Sequence, residues 1–167
     1  IGINLPNADW IRAQYGSKSI TIGNLTHAYN QASRGNGFIE EFAINDESTR
    51  SLISLYGDLC DDLHTDLHEC LGHGSGQLLP GVSADALGSY GSTIEEARAD
   101  LFGLYYIADP KLVQLGLTPN VEAYRSQYYT YMMNGLLTQL TRIKPGHQIE
   151  EAHMRNRALI AWWTLHH

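Results

Sequence analysis

The sequence has few charged residues, little cysteine and no long apolar run. Charged side chains make up 17% of its 167 residues, against about 25% in a typical globular domain. Its 11 lysines and arginines form no basic cluster, and the formal net charge is −7, which disfavours nucleic acid as a partner. No stretch approaches the roughly 18 apolar residues that a membrane helix needs, and no signal peptide is recognisable. We therefore expect neither nucleic acid nor a membrane among the partners.

Only two cysteines are present, Cys60 and Cys70, too few for a disulfide framework. On one helix they would lie about 15 Å apart, beyond the reach of a disulfide. Reduced thiols favour a cytoplasmic location. The scarcity of charge beside ten tyrosines suggests a chain whose surface is largely covered, and its first residue is Ile1. We expect residues 1–167 to form one domain that is part of something larger.

Apolar spacing predicts a mainly α fold with long glycine-rich loops. Leucines at positions 52, 55, 59, 63 and 67 form the stripe of an amphipathic helix from Ser48 to about Gly72. Further helices are predicted over 22–32, 95–107, 119–143 and 147–163. The stretch 72–92 is glycine-rich and is predicted to be an exposed loop.

Local signals place the ends of these helices. Thr21 and Thr118 are predicted N-caps, and the segment 92–95 matches the capping-box pattern. Gly135 is a predicted kink in its helix. Residues 1–20 are predicted to be irregular, with an extended stretch around INLPN (3–7), and no segment alternates well enough to predict a strand.

The stretch HECLGH (68–73) resembles the HExxH zinc signature but is one residue longer. On an ideal helix His68 and His73 would be about 140° apart around the axis and about 7.5 Å apart along it. One π-helical turn aligns residues i and i+5, and such turns gather at functional sites. Gly72 is well suited to a distorted backbone. The pair can therefore bind one metal ion if the helix deforms.

A third ligand is expected from EEARAD (95–100), which opens the next predicted helix. Catalytic zinc sites use three protein ligands of the histidine and carboxylate type and leave one position open. Either Glu95 or Glu96 can coordinate. A carboxylate one turn later, such as Asp100, can hold a ligating imidazole by its other ring nitrogen.

HECLGHGSGQL followed by EEARAD resembles the paired zinc motifs of the dipeptidyl peptidase III family of zinc exopeptidases, with further matches from INLPN to EAHMRNR. The resemblance implies a helical zinc-metallopeptidase catalytic subdomain that binds one Zn²⁺ and acts on oligopeptides. Its implied zinc ligands are His68, His73 and Glu96. The implied general base is Glu69, and the implied partners of the ligating histidines are Glu95 and Asp100.

The resemblance also assigns residues at both ends of the chain. His153 and Arg157 match residues that stabilise the transition state and bind substrate. Asn4 and Asn7 match asparagines that hold the amino terminus of the substrate, which would explain the release of dipeptides. Asp100 stands where the family often has glutamate, so its side chain is one methylene shorter. Family members are roughly four times longer and have two lobes, so we expect a missing lobe as a partner and little peptidase activity from this chain alone.

Two other hypotheses about the function of these residues remain open. One is a non-catalytic helical module stabilised by zinc, with the metal closed off by a fourth protein ligand. The other is a metal-free interaction domain descended from the enzyme. Isolated polar residues do not need a functional explanation. His64 is predicted to be solvated or hydrogen-bonded rather than a metal ligand.

Overall fold

A computed structural model describes residues 2–6 and 8–167, and within them the fold is mainly α, as predicted. The α-helices are α1 (Asp9–Tyr15), α2 (Gly23–Ser33), α3 (Phe38–Phe42), α4 (Glu47–Leu67), α5 (Gly91–Tyr106), α6 (Lys111–Gln114), α7 (Tyr124–Met133) and α8 (Ala152–His166). Two π-helical turns, π1 (His68–His73) and π2 (Asn134–Gln139), continue α4 and α7. Short 3-10 turns cover Gly88–Tyr90 and Leu140–Arg142. No helix in the described ranges is long and apolar enough to span a membrane.

Within residues 2–6 and 8–21, two short strands and a helix form where irregular structure was predicted. Strands β1 (Gly2–Leu5) and β2 (Lys18–Thr21) form an antiparallel pair on either side of α1. Strand β1 overlaps the extended stretch predicted around INLPN, but the pairing was not predicted, because both strands are short and the buried residue of β1 is polar, namely Asn4. Alternation of apolar and polar residues, the usual strand signal, is therefore missing.

Helix α4 buries only part of the predicted stripe, since Leu63 and Leu67 pack against the core. Leu55 is 69% exposed and Leu59 is 41% exposed. The buried positions of α4 are instead Ile53, Gly57, Cys60 and His64. Cys60 packs in a small core with three other buried residues. Leu112 belongs to α6, Ile107 lies before that helix, and Ala123 lies after it. Helices α5 and α7 pack on α4 and decide which side of it is buried, so leucine spacing alone placed the buried face only approximately.

None of the three predicted N-terminal caps forms, although the helices exist. Thr21 ends β2, and its hydroxyl donates to Asp66. The capping box at 92–95 lies inside α5, which has no side-chain cap. Thr118 precedes α7 by six residues, since that helix begins at Tyr124. The side-chain caps that do form are Asp46 on α4 and Glu151 on α8, each accepting from a backbone N–H.

The turn π1 is surrounded by other elements. It packs against α5, and β1 and β2 also contact it. Helix α5 in turn packs against α8. Side chains from β1 and α5 therefore lie against π1, and α8 lies on the neighbouring α5.

Candidate metal centre

The six residues of HECLGH form a π-helical turn, which confirms that the helix absorbs the extra residue. The turn brings His68 Nε2 to 3.0 Å from His73 Nε2, with the two rings nearly perpendicular at 85°. Gly72 does not have the left-handed backbone that would demand glycine. It is needed for close approach, because a Cβ there would lie 2.7 Å from Ala99 Cα and Cβ.

Glu96 from α5 completes a group of three candidate ligands. Its Oε2 lies 3.4 Å from His68 Nε2 and 3.6 Å from His73 Nε2. Ligand atoms at about 2.0–2.1 Å from a tetrahedral zinc ion are about 3.3 Å from each other. Among the described residues, Oε2 is also buried without an aligned hydrogen-bond donor. The three atoms are therefore spaced as the ligands of one zinc ion would be, and in the described part of the chain Glu96 Oε2 has no aligned donor of its own.

The outer nitrogens of both histidines are held by carboxylates. His68 Nδ1 is 2.8 Å from Asp100 Oδ1, and His73 Nδ1 is 3.0 Å from Glu95 Oε1. Both contacts favour the tautomer with its proton on Nδ1 and the Nε2 lone pair free for a metal. Arg98 in turn donates two hydrogen bonds to the Glu95 carboxylate, at 2.6 and 2.9 Å.

The carboxylates of this centre stay ionised. Burial opposes ionisation of Glu95, but hydrogen bonds from His73 and Arg98 outweigh it and lower its pKa to about 2. The same balance, with His68 as the main donor, lowers the pKa of Asp100 to about 2. Contacts with His153, His68 and His73 lower the pKa of Glu96 despite burial. The result is a concentration of negative charge that favours a divalent cation.

The histidines carry the corresponding protons in the metal-free state. Hydrogen bonding to Glu95 and then Glu96 raises the pKa of His73 to about 9. Burial opposes protonation of His68, yet its contacts with Asp100 and Glu96 leave that pKa raised. Two Nε2 atoms 3.0 Å apart cannot both carry a proton, so we place the proton on His73 Nε2, which donates it to the lone pair of His68 Nε2.

Glu69 sits beside the first candidate ligand and is buried, with 6% of its surface exposed. Its Oε2 has no hydrogen-bond partner in the described parts of the chain. Strand β1 covers it so closely that a Cβ on Gly2 would lie 2.7 Å from Glu69 Cγ. Cys70, the next residue, is exposed and does not belong to the candidate ligand group.

Helix α8 brings His153 to this centre. Its Nε2 lies 3.1 Å from Glu96 Oε2, and its Nδ1 lies 2.8 Å from Glu151 Oε1. Pairing with Glu96 raises the pKa of His153 to about 9. Arg157, one turn later, places its guanidinium 4.3 Å from the centre of the Tyr131 ring.

Of the two predicted substrate-binding asparagines, Asn4 is buried against π1, and Asn7 lies outside the described residues. Asn4 Nδ2 lies 3.2 Å from the Glu69 carbonyl and 2.9 Å from Ser19 Oγ. Because the carbonyl can only accept, the amide orientation is fixed. Its Oδ1 is buried without a donor in the described ranges.

Several polar residues around the centre are not recognisable from sequence. His64 was predicted to be solvated or hydrogen-bonded; it is 5% exposed, so it is not solvated, and its Nε2 is hydrogen-bonded to the Asp100 carbonyl at 3.4 Å. Tyr131 and Asn156 are also buried near Asp100. Only Arg98 could have been identified from the sequence, because an arginine three residues after a glutamate on a predicted helix can form an ion pair with it.

The fold and the site together define a helical protein with a candidate metal centre built from π1 and α5. The sequence profile described as Peptidase family M49 matches residues 1–87. The chain belongs to this family.

Curated relatives agree with this assignment. Dipeptidyl peptidase 3 of Homo sapiens is 25% identical over 192 aligned positions, covering 95% of this chain and 25% of the relative. Dipeptidyl peptidase 3 of Dictyostelium discoideum is 27% identical over 169 positions, covering 79% and 23%. The protein of that name from Nematostella vectensis is 36% identical over 80 positions, covering 46% and 10%. The chain spans about a quarter of the length of the first two relatives.

Proposed function

We propose that this protein is a zinc-dependent dipeptidyl peptidase that releases dipeptides from the amino terminus of oligopeptides. The proposal depends on one observation, the cluster of His68 Nε2, His73 Nε2 and Glu96 Oε2 at mutual distances of 3.0, 3.4 and 3.6 Å. Three ligands of this kind are typical of catalytic zinc, whereas structural sites use four. No fourth histidine, cysteine or carboxylate joins the group within the described residues.

When bound, zinc supplies a Lewis acid that polarises a carbonyl and lowers the pKa of a water to about 7. The residues of this chain would do the rest. Glu69 is the proposed general base, and an unpaired buried carboxylate oxygen is suited to take a proton from the attacking water. The same carboxyl would then pass that proton to the leaving amine, a contribution of about 10²–10⁴-fold in rate.

His153 and Arg157 are the proposed cations near the developing oxyanion. His153 is supported by its pKa of about 9, which keeps it protonated at neutral pH in the metal-free state, and by its contact with Glu96. A fixed positive charge in a partly dry site stabilises a transition state more than it would in water. Arg157 lies one turn further along α8, where its packing on Tyr131 would hold it in place for substrate.

Asn4 and Asn7 are the proposed contacts for the free amino terminus of the peptide. Asn4 is supported by its unpaired Oδ1, an acceptor of the kind that an ammonium group requires. A second lobe, of the size that the longer relatives indicate, would supply the rest of the cleft. We also propose a reducing, cytoplasmic environment, since Cys60 and Cys70 are both free thiols.

Replacing Glu69 in the full-length protein tests this function directly. We expect Glu69→Gln to retain one zinc per chain and to lose about 10²–10⁴-fold in kcat on a dipeptidyl arylamide. Zinc is measured by mass spectrometry of the protein, and the neighbouring Cys70→Ser variant is the control that should keep both properties. Unchanged activity in Glu69→Gln would reject the enzyme mechanism and favour a zinc-stabilised module. Absence of zinc from the unaltered protein would favour the metal-free domain.

A further inference from the structure

The short side chain of Asp100 reaches His68 in spite of its length, and a tyrosine holds it there. Asp100 is 3% exposed. Its Oδ1 lies 2.8 Å from His68 Nδ1, and its Oδ2 lies 2.8 Å from the Tyr131 hydroxyl. Two hydrogen bonds, one on each oxygen, fix the rotation of the carboxylate. With only one of them, the carboxylate can turn about its Cβ–Cγ bond and lose alignment with the imidazole.

The Tyr131 ring is itself held on several sides. It is 6% exposed, the Arg157 guanidinium covers its face at 4.3 Å, and the His64 ring meets it edge-on at 5.5 Å. Such contacts leave the hydroxyl little freedom to point anywhere other than at Asp100. The ring is therefore a rigid support.

Asn156 extends this arrangement by one residue. It is fully buried, its Oδ1 lies 3.4 Å from the Tyr131 hydroxyl, and its Nδ2 has no partner in the described parts of the chain. The oxygen and nitrogen of the amide have nearly the same shape, so the two positions can be exchanged. With its nitrogen in this place, Asn156 donates a hydrogen bond to the Tyr131 hydroxyl oxygen. The hydrogen bonds then run in one direction, from Asn156 to Tyr131 to Asp100.

We propose that Tyr131 is a positioning residue for the metal centre, acting through Asp100 to hold His68 with its proton on Nδ1 and its Nε2 free. This inference builds on the proposed metal centre. Glutamate, the residue that the family resemblance leads one to expect at position 100, reaches further by one methylene. The hydroxyl of Tyr131 and the amide of Asn156 stabilise the shorter aspartate in this protein.

The test compares Tyr131→Phe with Tyr128→Phe in the full-length protein. Both changes remove one hydroxyl from α7, and Tyr128 donates to the Leu104 carbonyl at 2.9 Å, away from the candidate ligands. Competition with a chromogenic chelator gives the zinc dissociation constant. We expect Tyr131→Phe to raise it about tenfold, the lower end of the range for residues that orient metal ligands, and Tyr128→Phe to leave it unchanged.

A second readout does not need the metal. Selective ¹⁵N labelling of histidine reports which ring nitrogen of His68 carries the proton in the metal-free protein. We expect the Nδ1–H form in the unaltered protein and a shift toward a mixture in Tyr131→Phe. This readout separates failure of the positioning role from failure of the proposed function, because it holds even if no zinc binds.

A double-mutant cycle shows whether Tyr131 acts through Asp100. In an Asp100→Ala background, Tyr131→Phe should change the zinc dissociation constant by less than twofold, since the intermediary is gone. Fully additive effects would overturn the proposal, as would an unchanged His68 tautomer in Tyr131→Phe. If Tyr131→Phe loses its helical circular dichroism, the ¹⁵N measurement on the unaltered protein is the deciding test. A proton found on His68 Nε2 in the metal-free state would then reject the proposal.

Discussion

At the scale of single residues, buried carboxylates of similar chemistry have different surroundings, and the surroundings separate their roles. Asp100 has a hydrogen-bond partner on each oxygen, whereas Glu69 Oε2 has none among the described residues. A carboxylate held on both oxygens is suited to orient a neighbour, and the hydrogen bonds that it accepts oppose its protonation. An unpaired one is costly to bury, and that cost is consistent with a group kept ready for a reacting molecule.

Arg98 supports the second histidine, and its removal should weaken metal binding. It bonds Glu95 through two nitrogens and also contacts Ser75, so Arg98→Met frees the carboxylate that holds His73. We expect the zinc dissociation constant to rise about 10-fold or more, measured by chelator competition.

Arg125→Met is the matched control for this change. Arg125 also pairs with a glutamate three residues earlier, at 3.0 Å, but both side chains are more than half exposed. Surface pairs of this kind contribute little. Equal loss of zinc affinity in both variants would contradict the assigned role of Arg98.

The two cysteines should differ in reactivity. Cys60 is fully buried, burial raises the pKa of its thiol, and the thiol contacts the Ala123 carbonyl at 3.3 Å, whereas Cys70 is exposed. We expect one thiol per chain to react quickly with Ellman's reagent at neutral pH and the second only after unfolding. Cys70→Ser should abolish the fast reaction. A fast phase that survives in that variant would show that Cys60 is accessible.

At the scale of elements, the close approach of π1 and α5 positions the candidate ligands. Glu96 and Ala99 lie on the same stretch of α5, and Ala99 packs directly against Gly72. A glycine in π1 lets the backbone of the turn approach α5, which brings Glu96 within reach of both histidines. The distances in the cluster therefore depend on helix packing as much as on the π turn itself.

Gly72→Ala should disturb this packing. The new Cβ would lie 2.7 Å from two rigid atoms of Ala99, so α5 must move away from π1. We expect a loss of about 1–3 kcal/mol in the free energy of unfolding, the usual range for an overpacked core. Urea unfolding measures the loss, and zinc affinity should fall with it.

Gly91→Ala is the control at the start of α5. Nothing lies within 4 Å of its Cβ position, and replacing glycine by alanine in a helix gains about 0.5–1 kcal/mol. If Gly72→Ala were as stable as Gly91→Ala, the close approach of the two elements would not be a constraint.

At the scale of the whole molecule, the candidate metal centre connects segments that are distant in sequence. His68 and His73 continue α4, Glu96 belongs to α5, and His153 reaches Glu96 from α8. One ion would therefore hold α4 and α5 together directly and α8 through its contact with Glu96. Metal binding at such a place is coupled to the stability of the fold.

Removing the metal should lower the melting temperature. With free zinc at about 1,000 times its dissociation constant, binding adds about 4 kcal/mol to the free energy of unfolding. A chelator should abolish that gain and added zinc should restore it, as followed by thermal unfolding. Glu69→Gln should respond like the unaltered protein, while a response retained in His73→Ala would rule out the assigned ligand set.

Much of the helical fold was recognisable from the sequence, but helix ends and buried faces were not. Apolar spacing and glycine-rich breaks predicted the main helices. The caps at Thr21 and Thr118 failed because a capping residue is recognised by a local pattern that many loop residues share. The exposed Leu55 shows the same limit, since only the packing of α5 and α7 decides which side of α4 is inside.

The sequence by itself identified the candidate metal ligands of this protein. Two histidines five positions apart, with glutamates 22 and 23 residues beyond the second, have few other uses, and their spacing required a deformed helix. Only the tertiary structure decided what surrounds them. The contacts of Tyr131 with Asp100, of His153 with Glu96 and of Gly2 with Glu69 join residues more than 30 positions apart. No local pattern encodes such contacts, because they arise from how the helices pack.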